Sequence, residues 1–452
     1  MSAAGWGARG EPGAGWWTAR RRWFGVAAVL IVVAALLVVV RVVAGAGRHP
    51  ELASPPAHDP PRTFATSGVA LPQRTDADPL PIVLRGVDAV IALPDLLEVV
   101  DTRSGDVRRT IPALDPATSG SDVTVPGATP SPAVEVTGTE PAVPAVVPVR
   151  GRAAVVVTFE VSVAGHGTTV GHEAVEILAV DAATWAPVAR ARIDLPVSLS
   201  GVGRVRSAQV VGEDDGLLAV VVRQGADAVP TTYGVNALTG RLAWTVPQFD
   251  AAAIVAHRVV GVRSAVGAGG AGGDARVVAV GAGDGRPAWA ATGPPARSAA
   301  VWTAGPALVA GWTTDAATGS RTLWMLDAVT GTVRDARPAA GDVRCRYDER
   351  SVTVCAEAGS GDTGAIGYDA TTGRPLWQLP DPAAGRVAPR VSTVWHGIVY
   401  GMTANGPVAL DARTGADEPH PPLAAPAVVN EYVGISAATL STPHPMAYPA
   451  TS

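Results

Sequence analysis

Hydrophobic residues in this chain come in short runs. From about residue 81 onward, stretches of Val, Ile, Leu and Ala alternate with Gly, Asp and Pro. Six runs stand out: AVIAL at 89–93, AAVVVTFEV at 153–161, LLAVVVR at 217–223, RVVAV at 276–280, SVTVC at 351–355 and GIVYGM at 397–402. Runs of this length, rich in β-branched residues and bounded by turn formers, predict strands. One segment differs. Residues 24–40 (FGVAAVLIVVAALLVVV) form 17 uncharged, apolar positions in a row, which predicts a helix.

The runs are punctuated by a recurring phrase. DATTGRPLW starts at Asp369, NALTGRLAW at Asn236 and GAGDGRPAW at Gly281. Eroded copies are DAVTGTVRD from Asp327, DARTGADEP from Asp411, DTRSGDVRR from Asp101 and DAATWAPVA from Asp181. From Asp181 onward the starts lie 55, 45, 46, 42 and 42 residues apart. A period in the forties marks an array of supersecondary units. Inside the phrase, an opening Asp or Asn accepts backbone N–H groups across a turn, and the glycine supplies a positive φ. Asp101, Asp181, Asn236, Asp327, Asp369 and Asp411 are candidates for the first role. Gly240, Gly285, Gly331, Gly373 and Gly415 are candidates for the second. Four residues after the glycine, Trp244, Trp289 and Trp377 fall on the next strand, where a large flat side chain docks against the neighbouring sheet.

A four-stranded sheet of this rhythm cannot bury both faces alone, whereas radial stacking of such sheets does. The expectation is an all-β chain with a β-propeller over residues 81–436. Seven phrases imply seven blades, with eight as the alternative. The 80-residue gap between Asp101 and Asp181 holds a low-complexity stretch at 115–144, read as a disordered insertion. VVNEYVGIS (428–436) is expected to complete the first blade, followed by a tail at 437–452. Asp315-Ala316-Ala317-Thr318-Gly319 copies the phrase 12 residues before Asp327 and is assigned to a hairpin loop inside that blade.

The apolar segment bears on location. Seventeen residues at 1.5 Å rise span roughly 25 Å, just short of a ~30 Å hydrocarbon core. Arg41 snorkels, so residues 42–47 extend the span. Arg20, Arg21 and Arg22 precede it, and Trp16, Trp17 and Trp23 suit an interfacial belt. The positive-inside bias keeps 1–22 as a cytoplasmic tail, makes 23–47 a single transmembrane helix and sends the rest outside the cytoplasm. Residues 48–80, rich in Pro, Asp and Thr, read as a Pro-rich linker. Ala44-Gly45-Ala46 has the form of a signal peptidase site, so a cleaved leader is the alternative, although the length of the apolar run favours a retained anchor.

Composition narrows the chemistry. The chain has 452 residues, only 17% of them charged, with a formal net charge of -5. Sparse, balanced charge excludes the basic stripe of a nucleic-acid binder. There is no lysine, which excludes Schiff-base chemistry and a P-loop lysine. The Ala, Val, Gly, Arg and Pro bias fits a GC-rich, actinobacterial genome. Cys345 and Cys355 flank a turn in VRCRYDERSVTVC and are expected to face each other as an extracytoplasmic disulfide, with free thiols as the alternative. His166, His172 and Glu173 sit in the Gly-rich AGHGTTVGHE; an exposed loop is the plainer reading than a metal site. The acidic tetrapeptide at 213–216 lacks the ligand spacing of a calcium loop and reads as a solvated turn. The glycine run at 265–276 lacks the strand-then-helix context of a phosphate loop. His257 and His396 open strands at turns. No catalytic, cofactor-binding or metal-ligating set is assembled by motif.

The stretch HGIVYGMTANGPVALDARTG (396–415) reads strand, turn at Asn405-Gly406, strand, phrase. It resembles the repeat of the PQQ-like β-propeller family, whose pattern runs VYVGT-x-DG-x-LYALDAATG-x-x-x-W and is akin to WD40-like arrays. Asn236, Asp327, Asp369 and Asp411 match its turn acid or amide, and Gly240, Gly285, Gly331, Gly373 and Gly415 its glycine. The resemblance covers roughly residues 81–436 and is specific for fold rather than activity. Some members are quinoprotein dehydrogenases, generally eight-bladed, and the methanol dehydrogenase type has adjacent cysteines near the quinone; this chain has none. Others resemble the outer-membrane assembly scaffold or serve as extracytoplasmic sensor modules. The resemblance therefore implies a non-catalytic, membrane-anchored propeller, needing no cofactor, that binds a protein partner or ligand in the cell envelope. A PQQ-dependent oxidoreductase, or another enzyme with its site in the funnel, is the alternative.

Overall fold

Each phrase in the chain closes an antiparallel meander. The computed structural model describes residues 55–72, 79–115, 133–196, 204–225, 228–237, 239–264, 275–292, 296–358, 364–439 and 442–452. The expected tail at 1–22, the span at 23–47, most of the insertion and the glycine run at 265–274 lie outside them. Among the described residues no helix is long and apolar enough to cross a membrane.

The sheets follow one another along the chain. The first holds Ile82–Arg85, Asp88–Ala92, Leu96–Asp101 and Val107–Pro112; the second Val134–Val136, Ala145–Val149, Arg152–Val163, His172–Asp181 and Pro187–Asp194. The third is Val205–Asp214, Leu217–Gln224, Val229–Asn236 and Leu242–Pro247; the fourth Phe249–Val255, Arg258–Ser264, Ala275–Gly281 and Pro287–Ala290. The fifth is Ala296–Thr303, Leu308–Asp315, Arg321–Asp327 and Val333–Ala339, joined to the fourth through the single pair Ala275 and Ala296. The sixth is Asp342–Tyr347, Val352–Ala358, Ala365–Asp369 and Pro375–Leu379; the seventh Arg390–Trp395, Ile398–Thr403 and Gly406–Asp411, extended by a bridge from Leu410 to Asp417. The last is Val428–Val429, Val433–Ser436 and Met446–Pro449, with Val69–Ala70 as its outer strand.

Packing follows from the period-two geometry of strands. Second strands carry apolar residues on both faces: every residue of Asp88–Ala92 is buried. Even positions of Arg152–Val163, such as Ala154 and Val156, pack toward the third sheet. Odd positions, such as Val155 and Val157, pack toward the first. The core is thus divided into eight hydrophobic clusters, one between each neighbouring pair of sheets, including the eighth and the first. Burying each Val or Leu side chain stabilises by about 1.5–3 kcal/mol, so every interface contributes. From the second sheet to the eighth, first strands touch first strands of the next sheet, and Val428–Val429 reaches Ile82–Arg85 of the first within Pro56–Ser452. Buried hydroxyls staple the sheets: Thr158 Oγ1 donates to the Ala208 carbonyl at 2.7 Å and Thr232 Oγ1 to the Phe249 carbonyl at 2.6 Å.

These observations revise four expectations. Among the described residues the strands fall into eight successive groups, the fourth and fifth joined in one sheet, which matches the alternative of eight rather than the seven that seven phrases implied. Residues 428–436 do not complete the first sheet but found the eighth, which has no phrase and so left no repeat to count. The supposed tail at 437–452 supplies a strand to that sheet, and the supposed linker at 48–80 supplies its outer strand and the buried Phe64. The insertion at 115–144 is ordered at its end, where Val134–Val136 pairs with Val161, Ser162 and Val163.

Candidate functional site

The repeated phrase forms one hydrogen-bonded turn. In Asp369–Gly373 the Asp369 Oδ1 accepts from the backbone N–H of Thr371 (3.1 Å) and Thr372 (2.8 Å) and from Thr372 Oγ1 (3.0 Å). Asp181, Asp327 and Asp411 repeat the pattern on Thr184, Thr330 and Thr414, and Asn236 on Thr239. The Thr372 N–H holds the Asp369 carboxyl below the usual carboxylate range, and the Thr184 N–H does the same for Asp181. Asp101 instead holds Arg103, through its backbone and its guanidinium. The glycines Gly240, Gly285, Gly331, Gly373 and Gly415 have φ between 66° and 73°.

The tryptophans join each sheet to the next. Trp244 Nε1 donates to the Ala282 carbonyl at 2.9 Å, Trp289 to Ala328 at 2.9 Å and Trp377 to Ala412 at 2.7 Å. Each acceptor is the second residue of the following phrase, and the indole lies over that phrase's glycine. A Cβ on Gly285 would stand 2.9 Å from Trp244, one on Gly331 2.7 Å from Trp289 and one on Gly415 2.7 Å from Trp377. Behind the indoles, Gly234 and Gly367 leave room that no side chain permits, with Cβ positions 2.1 and 2.3 Å from Trp244 and Trp377. Between the first two sheets the arrangement is reversed. Arg109 stands at the tryptophan position and donates to the Thr184 carbonyl at 2.8 Å. Trp185 replaces the phrase glycine at φ 57° and donates back to Asp88 at 3.2 Å. Asp88 also holds Arg108 at 2.7 Å, and burial raises its carboxyl pKa.

The other singled-out residues separate. Cys345 and Cys355 are directly paired across the sixth sheet's first hairpin and form a disulfide, 4.0 Å between Cα atoms. Both are buried between the fifth and sixth sheets, so they are not the adjacent pair of the quinone-binding type, and these cysteines do not fit that group. His172 pairs with Asp194 at 3.1 Å, while His166 lies exposed in the hairpin beyond. Asp214 and Asp215 of the acidic tetrapeptide meet His257 of the fourth sheet, at 3.0 and 3.8 Å, and the Asp214 carboxylate, accepting a hydrogen bond from the imidazole, raises its pKa. Asp215 and His257 are exposed and Asp214 half-buried, and the histidine comes from 42 residues beyond Asp215, outside the reach of local spacing.

A concave site lies at the other end of the sheets. In a meander, the phrase turns join third to fourth strands, and the turn joining second to third lies opposite. The cavity is walled by that turn of the first sheet, Leu93 and Pro94, and by Glu160 of the second sheet and Gln209 of the third. It exists because the second sheet's inner edge is broken. Val134–Val136 pairs with 161–163 and Ala145–Val149 with 152–156, leaving 157–160 without a strand partner on that edge, while their other edge pairs with residues 175–178. The intervening residues touch that edge through the N–H groups of Thr137 and Gly138 on the Glu160 carbonyl. Burial pushes the Glu160 carboxyl up to about 7, with Arg204 opposing and Glu140 and Glu173 reinforcing. The sequence signal for this site is a lone carboxylate inside the apolar run at 153–161.

A family described as outer membrane protein assembly factor BamB matches residues 273–442. No curated protein matches the chain. Among solved structures it is similar to BamB from Moraxella catarrhalis, with 13% identity and a TM-score of 0.42 over 85% of this chain and 100% of that one. A europium-containing methanol dehydrogenase gives 12% identity and a TM-score of 0.42, over 84% and 83%. Sqt1 of Saccharomyces cerevisiae gives 12% and 0.42, over 88% and 99%. The family match spans the phrases at Gly281, Asp327, Asp369 and Asp411, whose turns and docked indoles are described above, and over those residues the chain is similar to the PQQ-like β-propeller repeat.

Proposed function

We propose that the chain is a membrane-anchored, extracytoplasmic scaffold of the cell envelope whose eight-bladed propeller presents one rim to a protein partner or envelope ligand. The observation that carries this reading is the division between the two ends of the sheets. At one end the repeated Asp, Gly and Trp residues are all engaged in holding turns and joining neighbours. At the other, the second sheet departs from the repeat and opens a cavity. A rigid frame carrying variable connections is how propellers bind. The family description names an assembly factor, which supports a binding role. The disulfide supports an oxidising compartment, and the apolar segment at 24–40 supports an anchor.

The test is photocrosslinking in membranes, with the crosslinker at exposed Glu140 beside the cavity or at exposed Thr372 in a phrase turn. Adducts from position 140 and not 372 support the reading; equal adducts, or none, overturn it. Protease added to intact cells should cleave the propeller, and full protection would refute the extracytoplasmic placement. Dye reduction with alcohols or sugars on addition of PQQ and calcium would overturn the scaffold reading.

A further inference from the structure

We infer that the cavity in the broken edge of the second sheet binds a monovalent organic cation, a primary ammonium or a guanidinium, with the Glu160 carboxylate as its counter-ion. The inference rests on the binding role proposed above for this rim, and not on the membrane anchor. The cavity measures about 130 Å³, close to the ~150 Å³ that accommodates a benzene-sized guest. A guanidinium or a short alkylammonium has that size.

The lining is mostly apolar and stiff. Pro79, Pro94 and Pro141 with Leu93 and Val143 form walls that suit a methylene stem. Thr158 cannot serve as the polar contact, because its hydroxyl is committed to the Ala208 carbonyl. Glu160 lies on the same strand face as Ala154, Val156 and Thr158, directed at the third sheet. The charged groups bearing on it are Glu140 from the segment after Val134–Val136, Glu173 from the facing strand and Arg204 ahead of the third sheet. Arg204 donates to the Thr137 carbonyl at 3.1 Å. Glu173 Oε2 is shielded from solvent with no hydrogen-bond partner. Three carboxyl groups against one guanidinium leave the site short of positive charge. A hard divalent ion would need six or more converging oxygens. Among the described residues the grouping with metal-ligand convergence is Asp214, Asp215 and His257, not these glutamates. An organic cation matches both the apolar walls and the two carboxyl groups, Glu160 and Glu140, that line the cavity.

The chemistry carries a proton. Glu160 holds its proton to about pH 7 in the free protein, and a bound cation favours the ionised form. Binding below pH 7 therefore releases one proton to solvent and tightens as pH rises. The full chain, purified in mild detergent, is titrated calorimetrically with n-butylammonium, n-butylguanidinium, n-butanol and butyrate. The two cations are expected to bind about tenfold more tightly at pH 8 than at pH 6, and the alcohol and the anion not at all. Heats measured in two buffers of different ionisation enthalpy should give nearly one proton released at pH 6 and none at pH 8.5. Glu160→Gln, checked by its melting curve, should abolish binding and the proton release.

N-acetyl-lysine methylamide and N-acetyl-arginine methylamide form a second arm. Tighter binding of these than of the alkyl cations assigns the cation to a partner's side chain, and the reverse order assigns it to a free amine. Binding of butanol equal to butylammonium, retention of binding in Glu160→Gln, or no binding by any cation would overturn the inference. Failed crosslinking at position 140 with intact cation binding would instead remove only the scaffold reading.

Discussion

Single side chains decide how well neighbouring sheets are joined. Trp244 is buried, donates to the Ala282 carbonyl and lies between Gly234 and Gly285. Trp244→Ala removes the indole and leaves that carbonyl without its donor, so it should cost about 3–5 kcal/mol by denaturant unfolding. Gly285→Ala places a methyl 2.9 Å from the same ring at φ 67° and should destabilise by more than 1 kcal/mol. Glu160 gives a pH-dependent prediction. Its folded pKa, about 7, lies above the ordinary 4.5. The stability it confers is complete below pH 4.5 and is lost as pH rises through 7. Glu160→Gln should therefore melt like the natural protein at pH 4.5 and gain an advantage that levels off above pH 7, worth about 1–2 kcal/mol after solvent screening. An advantage that shrank with rising pH would contradict this placement of Glu160.

At the scale of elements, near-identical local sequences take different posts. Asp315-Ala316-Ala317-Thr318-Gly319 makes the same turn as Asp327–Gly331: Asp315 Oδ1 accepts from Ala317 N–H, Thr318 N–H and Thr318 Oγ1. It nevertheless joins the second and third strands of the fifth sheet, where Gly319 has no neighbour within reach of a Cβ, while Gly331 receives Trp289. The turn was legible in the residues; its post was not, because docking depends on which sheet arrives next. The disulfide was legible for a similar reason, since residues ten apart around a tight turn meet across one hairpin. Closing so short a loop contributes somewhat under 3 kcal/mol. Reductant should lower the melting temperature of the natural chain to that of Cys345→Ala/Cys355→Ala and leave the variant unmoved; equal shifts in both would argue against the bridge.

For the whole molecule, closure is a long-range event. The last sheet takes its outer strand, Val69–Ala70, from nearly 380 residues away in sequence, pairing it with Met446 and Ala447. Phe64 fills the cluster between the seventh and eighth sheets, and the Tyr400 hydroxyl donates to the Pro61 carbonyl. Phe64→Ala should cost about 3–5 kcal/mol. A chain starting at residue 56 should keep the melting transition of the propeller, whereas one starting at 73 should melt well below it, having lost the outer strand. Equal melting of the two would refute closure by this segment.

The repeat, the all-β class, the phrase turn and the cysteine pair were all determined by residues near one another in sequence. Period-two burial, Asp-to-backbone bonds and short hairpins are local physics, and local physics is written locally. The eighth sheet, the meeting of His257 with Asp214 and the reversed docking of Trp185 were decided only in three dimensions. So was the cavity around Glu160: the break in the second sheet's edge shows only when residues 134–136 and 145–149 are laid against one strand, and its walls come from three sheets. Strand pairing between distant segments depends on which faces remain unburied once the nearer contacts are made, and no short window of sequence contains that information.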